Sequence, residues 1–287
     1  MGWGIITSVI LHNYHIHSRY CDGEGEIRSY IEEAIRQGLT SIGFSSHAPL
    51  PFPTNWAMPL ESLPQYWAEI NELKASYRSQ IEVYAGLELD FVPGLADFQQ
   101  QHILNLPFDY LIGSVHFVGG EHDNSLWTVD GPSSAFDRGL RTCYGGDIEQ
   151  LVREYYVRIR SMVRAGGIDI VGHLDRILYN NLDERHFSEA APWYRQAIEE
   201  TLQTIAKQHT IVELNMRGCY APLCSPNPGL WILKRCRELG IRLTIGTDAH
   251  RPEYVARGLE RAAQLLHRAG YTAIWQLASG KWIPQCL

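Results

Sequence analysis

The sequence predicts a parallel α/β barrel, closed or nearly closed, built from seven strand–helix units. Three observations predict it. Apolar segments rich in β-branched and aromatic residues alternate with longer segments of helical period. The strand segments are close to continuously apolar, as strands covered on both faces are. No linker or compositional break interrupts the alternation, so residues 1–287 read as one domain.

The elements follow in order. Residues 9–17, "VILHNYHIH", read as the first strand. "GEIRSYIEEAIRQG" then reads as a helix, with Ile27, Tyr30, Ile31, Ala34 and Ile35 on one side and Gly38 as its stop. Strand "TSIGFSSH" (40–47) precedes helix 62–80, and strand "IEVYAGLELD" (81–90) precedes a shorter helix at 95–105. Strand "DYLIGSVHF" (109–117) opens into a long loop, from Val118 to about Gly146, rich in Gly, Asp and Ser. A loop of that length inside a compact domain is usually functional. The alternation resumes with helix 147–166, strand 168–173, helix 189–208, strand 210–215, helix 228–240, strand 242–248 and helix 253–270.

Composition narrows the function. At 287 residues and 45% hydrophobic, the chain can build a large core. A net charge of −7 without any basic block lacks the footprint of a nucleic-acid binder. The six cysteines show no C-x-x-C spacing and read as reduced thiols of a cytoplasmic protein. The start, "MGWGIITSVI", has no basic n-region or cleavage pattern, and no apolar run reaches membrane-spanning length.

The chemistry is written at the strand ends. They carry His15 and His17, His47, Glu88, His116, His173, Glu213 and Asn215, and Asp248 with His250 just after. In a parallel barrel the C-terminal strand ends form one rim, so these side chains converge. His15 and His17 lie two apart and face the same way, and the Asp-Gly turn returns Asp22 over them. One strand-end histidine is ordinarily scaffold. A histidine or carboxylate on nearly every strand is not, because such a cluster goes unsatisfied without a cation. Imidazole and carboxylate without thiolate suit Zn, Fe or Mn. The ligands are too many for one ion and fit two or three divalent ions sharing a carboxylate. Clusters of this kind hydrolyse phosphate esters.

The ordered motifs "HIHSRYCDG", "SSHAPLP", "GLELDFVPG", "DYLIGSVHF", "DIVGHLD", "ELNMRG" and "TIGTDAH" resemble those of the polymerase-and-histidinol-phosphatase (PHP) superfamily, and most closely its stand-alone histidinol-phosphate phosphatase branch. The resemblance runs from about Asn13 to Arg251. It implies a distorted (β/α)7 TIM-like barrel of the PHP type with three metals. The first would take His15, His17, Glu88 and Asp248. The second would share Glu88 and add His116 and His173. The third would take Asp22, His47 and His250. The chain departs from the family at Ser46, where many members carry aspartate.

The implied reaction is hydrolysis of L-histidinol phosphate, a small-molecule ester, by attack of a hydroxide that bridges the first two metals, which share Glu88. Asp248 or a histidine at the mouth such as His250 would protonate the leaving alkoxide. Arg176 and Arg217 are the candidate phosphate forks, with Arg141 a third. Asp175, Glu121 and Trp127 are candidates to hold the rest of the substrate. Two other readings stay open: a PHP phosphoesterase for another small ester, such as a nucleotide or sugar phosphate, and a non-catalytic metal-binding module. Oligomeric state is not legible.

Overall fold

A computed structural model of the chain describes residues 10–96, 105–120, 126–220 and 225–287. Seven parallel strands form one sheet in the order β1 (His12–Asn13), β2 (Ser41–Phe44), β3 (Glu82–Asp90), β4 (Tyr110–Ser114), β7 (Ile170–Val171), β8 (Ile211–Asn215) and β9 (Leu243–Gly246). The last strand returns to the first. His17 N–H donates to the Ala249 carbonyl at 2.9 Å, and Ile16 bridges Ala249 in parallel. The sheet therefore curls into a nearly closed barrel, as the apolar strands predict.

Helices α1 (Ile27–Arg36), α2 (Leu63–Tyr77), α4 (Ile148–Ala165), α5 (Pro192–Gln208), α6 (Leu230–Glu238) and α7 (Leu259–Ala269) occupy the predicted helical segments. In α1 the residues buried are Ile27, Tyr30, Ile31 and Ala34, the stripe that its period marks. Most of the helix expected at 95–105 lies outside the described residues. No helix among the described residues is long and apolar enough to cross a membrane.

Three features differ from expectation. The paired strands are shorter than the apolar runs, and single parallel bridges, Ile16 to Ala249 and His47 to Glu88, carry the pairing on to the rim. The segment 118–146 is not loop throughout. Phe117–Val118 (β5) pairs antiparallel with Trp127–Thr128 (β6), and Ser133–Tyr144 forms helix α3. Phe136, Leu140 and Tyr144 recur every four residues on its buried side, and the Trp127 ring fills the space a Cβ on Gly139 would need. Last, the chain ends in an antiparallel hairpin of Ala273–Ala278 (β10) and Lys281–Cys286 (β11). Its turn, Ser279–Gly280, has positive φ at both residues, the geometry that matches the twist of a two-residue hairpin.

That hairpin closes the end of the barrel opposite the rim. Leu277 from β10 and the half-buried Trp275 and Trp282 pack on Tyr14, Tyr84, Tyr110 and Ile170 near the strand starts. Gly43 and Gly86 leave room for Tyr110, whose hydroxyl lies 2.5 Å from where a Cβ on Gly43 would stand and whose ring lies 2.4 Å from one on Gly86. The Tyr110 hydroxyl donates to the Tyr14 carbonyl at 2.6 Å, and the Leu277 N–H donates to the Tyr14 hydroxyl at 2.9 Å.

Gln285 reaches His12 Nδ1 at 2.9 Å, and burial holds that imidazole down at about 4 against an ordinary 6.5, the Gln285 bond only partly offsetting. As pH falls, the unfolded chain takes up this proton first. The stability is thus fully present above pH 6.5 and is lost as pH falls through 4. This one group should cost about 2 kcal/mol between pH 7 and pH 5. Urea titrations at both pH values check it. His12→Gln should flatten that difference, and an unaltered pH slope in the variant would refute the attribution.

Candidate metal centre

The rim gathers all nine predicted ligands. His15 and His17 follow β1, and both are fully buried. The turn after them brings Cys21 N and Gly23 N back to the Ser18 carbonyl. A Cβ on Gly23 would stand 2.5 Å from Ser18 N, so this return of Asp22 requires glycine. Asp22 Oδ1 then sits 3.3 Å from His250 Nε2, 3.7 Å from His17 Nδ1 and 3.9 Å from His47 Nε2.

Glu88, on β3, is the hub. Its Oε2 lies 3.0 Å from His47 Nδ1, 3.3 Å from His15 Nε2 and 3.5 Å from His17 Nε2. Its Oε1 accepts from the Ser114 hydroxyl at 2.7 Å and lies 2.9 Å from His173 Nε2 and 3.7 Å from His116 Nε2. Asp248, after β9 with φ +52°, places Oδ1 3.2 Å from His17 Nε2.

Two carboxylates behind the site fix which nitrogen of His15 and of His116 faces inward. Glu213 Oε1 takes His15 Nδ1 at 2.6 Å, while its Oε2 accepts from the His173 backbone N–H at 2.9 Å. Asp90 Oδ1 takes His116 Nδ1 at 2.8 Å. Those carboxylates leave the Nε2 lone pairs pointing at Glu88. Glu213, named at a strand end, thus braces the site from behind, and Asn215 Nδ2 donates to Glu213 Oε2 at 3.1 Å and Asp248 Oδ2 at 3.3 Å. Ser46, at the family's aspartate position, bonds the Ser18 hydroxyl instead at 2.9 Å.

Burial opposes ionisation everywhere here, and neighbours decide the outcome. For Glu88, burial is overcome by His47, His15 and His116, which hold its carboxyl well below the usual range. Arg217 and His15 do the same against burial for Asp248. Burial, then His250 and His47, hold His17 neutral, and burial lowers His173. Against burial, Glu213 and Glu88 raise His15, and Asp90 and Glu88 raise His116 to about 10. The site thus sets ionised carboxylates beside neutral His17 and His173, and a metal binding at His15 and His116 would displace a proton from each ring.

The residues fit metal ions on one further observation. His15 Nε2, His17 Nε2, His47 Nδ1 and Glu88 Oε2 are buried without a hydrogen-bond partner among the described residues. Four orphaned atoms in one place would each cost free energy unless a cation satisfied them. Sets of potential ligand atoms lie mutually within 4.8 Å: His15, His17 and Asp248; His15, Glu88 and His173; His47, Glu88 and His116; and Asp22, His17, His47 and His250.

A cavity of about 350 Å³ opens over this cluster. Arg176 and Arg217 both line it. Arg217 Nη1 donates to Asp248 Oδ1 at 3.0 Å, and Arg176 donates from Nε and Nη2 to Asp130 Oδ2 at 2.9 and 2.8 Å. Three other candidates stand elsewhere. Asp175 is buried, accepting from Asn227 Nδ2 at 2.7 Å and Gly229 N–H at 3.1 Å, so it fastens a loop. Trp127 packs edge-on against Phe136. Arg141 is exposed on α3. Glu121 lies outside the described residues.

The cavity also contains residues that the sequence did not single out: Asn55, Trp56, Thr128 and Asp130. Asp90 carried a signal, since it follows Glu88 by two and shares its face. Asp130 carried none, because only the pairing of Trp127–Thr128 with Phe117–Val118 brings it to the rim.

Comparison with known proteins agrees with this geometry. Residues 13–217 match the PHP domain family model. The chain is 31% identical over 241 residues to a probable histidinol-phosphatase of Deinococcus radiodurans, covering 83% of this chain and 85% of that one. It is 30% identical over 264 residues to the histidinol-phosphatase of Bacillus subtilis, covering 82% and 92%. Histidinol phosphate phosphatase from Lactococcus lactis, solved with zinc, L-histidinol and phosphate, superposes with a TM-score of 0.75 at 26% identity, over 96% of this chain and all of that one. With its barrel, its rim of histidines and carboxylates and these relatives, the chain belongs to the PHP domain family.

Proposed function

We propose that this chain is a metal-dependent phosphomonoesterase that hydrolyses L-histidinol phosphate to L-histidinol and phosphate, a step of histidine biosynthesis. The observation that carries the reading is Glu88, whose two oxygens are shared among five buried histidines from four strands and the segments that follow them. That the Lactococcus relative holds zinc, L-histidinol and phosphate supports the substrate.

The ions would be two or three of Zn, Fe or Mn. His15, His17, Glu88 and Asp248 would hold the first, Glu88, His116 and His173 the second, and Asp22, His47 and His250 the third. Bound there, divalent ions make water nucleophilic at neutral pH and neutralise phosphate charge. The chain's own side chains do the rest. Glu213 and Asp90 keep His15 and His116 oriented with Nε2 inward. Arg176 and Arg217 offer guanidinium donors to the phosphate oxygens from the cavity wall. Asp248 is held ionised, chiefly by Arg217, so it is a poor proton source. His250, which also lines the cavity, would be the donor to the leaving alkoxide when the third ion is not bound.

Phosphate release from L-histidinol phosphate and from a panel of nucleotide and sugar phosphates, with metal analysis of the same protein, tests the reading. Turnover of a nucleotide or sugar ester alone would replace the substrate. Stoichiometric metal with no turnover of any ester would refute the enzyme.

A further inference from the structure

Four carboxylates line the cavity, and three of them, Asp22, Glu88 and Asp248, face the cluster of histidines. The fourth, Asp130, does not belong to it. It sits on a turn that is pinned from two directions. Val129 N–H donates to the His116 carbonyl at 2.9 Å, and Asn180 Nδ2 donates to the carbonyls of Val129 and Gly131 at 2.9 and 3.0 Å. Such bracing is more than a solvent-facing loop needs.

Asp130 spends only one oxygen on the protein. Both Arg176 donors, Nε and Nη2, go to Oδ2. Among the described residues, Oδ1 makes no hydrogen bond, and neither does Arg176 Nη1. The pair thus presents an unspent anionic acceptor beside an unspent cationic donor, on residues that both line the cavity. Despite burial, Arg176 and then His116 hold the Asp130 carboxyl down at about 2, so the acceptor is ionised at neutral pH.

A phosphate ester of an amino alcohol carries the complementary pattern. Its phosphate is a dianion, and an ammonium stands on the carbon next to the ester CH₂. We propose that Asp130 is a specificity-determining residue: Arg176 takes the phosphate while Asp130 Oδ1 accepts from the substrate ammonium, so the pair selects phosphomonoesters bearing a neighbouring amine. This rests on the reading of the site as a histidinol-phosphatase and states which part of that substrate the protein reads. A charge-assisted bond in a partly desolvated cavity discriminates by about 10- to 100-fold.

The competing role for Asp130 is to aim Arg176 and nothing more. Asp130→Asn separates the two, because asparagine can still accept from Arg176 but has lost the charge that holds an ammonium. The probes are two matched pairs: L-histidinol phosphate against imidazolylpropyl phosphate, which lacks only the amine, and aminoethyl phosphate against ethyl phosphate. In the metal-loaded full chain, Asp130→Asn should lower kcat/KM for the amino esters by about 10- to 100-fold, chiefly through KM, and for the amine-free esters by less than about 3-fold. Arg176→Lys should weaken both members of each pair alike. Equal losses for Asp130→Asn on amino and amine-free esters, or none on either, would overturn the proposal. If wild-type protein turned over aminoethyl phosphate but not L-histidinol phosphate, and Asp130→Asn still erased the amine preference, the subsite would stand and the histidinol reading would fall.

Discussion

Glu88→Gln should lower turnover of L-histidinol phosphate by about 10³-fold or more and should strip metal from the purified protein. The physical reason is local. Glu88 is fully buried, and each of its oxygens faces ring nitrogens of two or more histidines. An amide there removes the charge that a pair of cations would share. It also turns one oxygen into an NH₂ donor, which would satisfy lone pairs that would otherwise bind metal. Even partners that only orient a metal-binding histidine cost about 10- to 100-fold when removed, and a shared ligand sets a larger scale. Metal analysis alongside kinetics is the measurement. A variant that retained full metal content and a third of the activity would show that Glu88 is not shared between ions. Glu213→Gln offers a graded comparison: it should keep some metal, because it acts through the orientation of His15 and the His173 backbone.

Tyr110→Ala should destabilise the fold by about 3 to 5 kcal/mol, the range for deleting a large buried aromatic. The ring is buried at the closed end of the barrel, wedged against Gly43 and Gly86 and edge-on to Tyr14 and Trp282. Its loss opens a void that two glycines cannot fill, and it breaks the hydroxyl bond to the Tyr14 carbonyl. Tyr14 immediately precedes His15, so the damage should reach the rim. Urea unfolding at fixed metal concentration measures the loss. Tyr110→Phe should cost only about 0.5 to 1.5 kcal/mol, the hydrogen bond alone. Saturating metal should recover part of the stability of Tyr110→Ala, since ions bind only the folded rim. A cost below about 1 kcal/mol for Tyr110→Ala would mean that the hairpin does not depend on this ring.

The barrel and its candidate ligand set were legible because both are local in origin. An apolar run of strand composition marks where a strand lies, and the residues that end it mark the rim. His15, His47, Glu88, His116, His173 and Asp248 could therefore be named from position alone. The hairpin at 273–286 was less legible, although "SG" between alternating segments is a turn signal. Helix α3 hid inside a segment whose glycines and serines read as loop, and Gly139, a poor helix former, is there to admit the Trp127 ring.

What the sequence by itself determined is which side chains reach the rim: period-two strands and parallel order leave them nowhere else to point. What only the tertiary structure decided is how they divide the work. His15 meets Glu213 across 198 residues, and Asp130 meets Arg176 across 46. No local spacing encodes such pairings, because they exist only once the last strand has closed on the first and the turn at Thr128–Gly131 has reached the cavity wall. Closure turns a list of histidines and acids into candidate ligands, braces and a candidate reader of substrate charge.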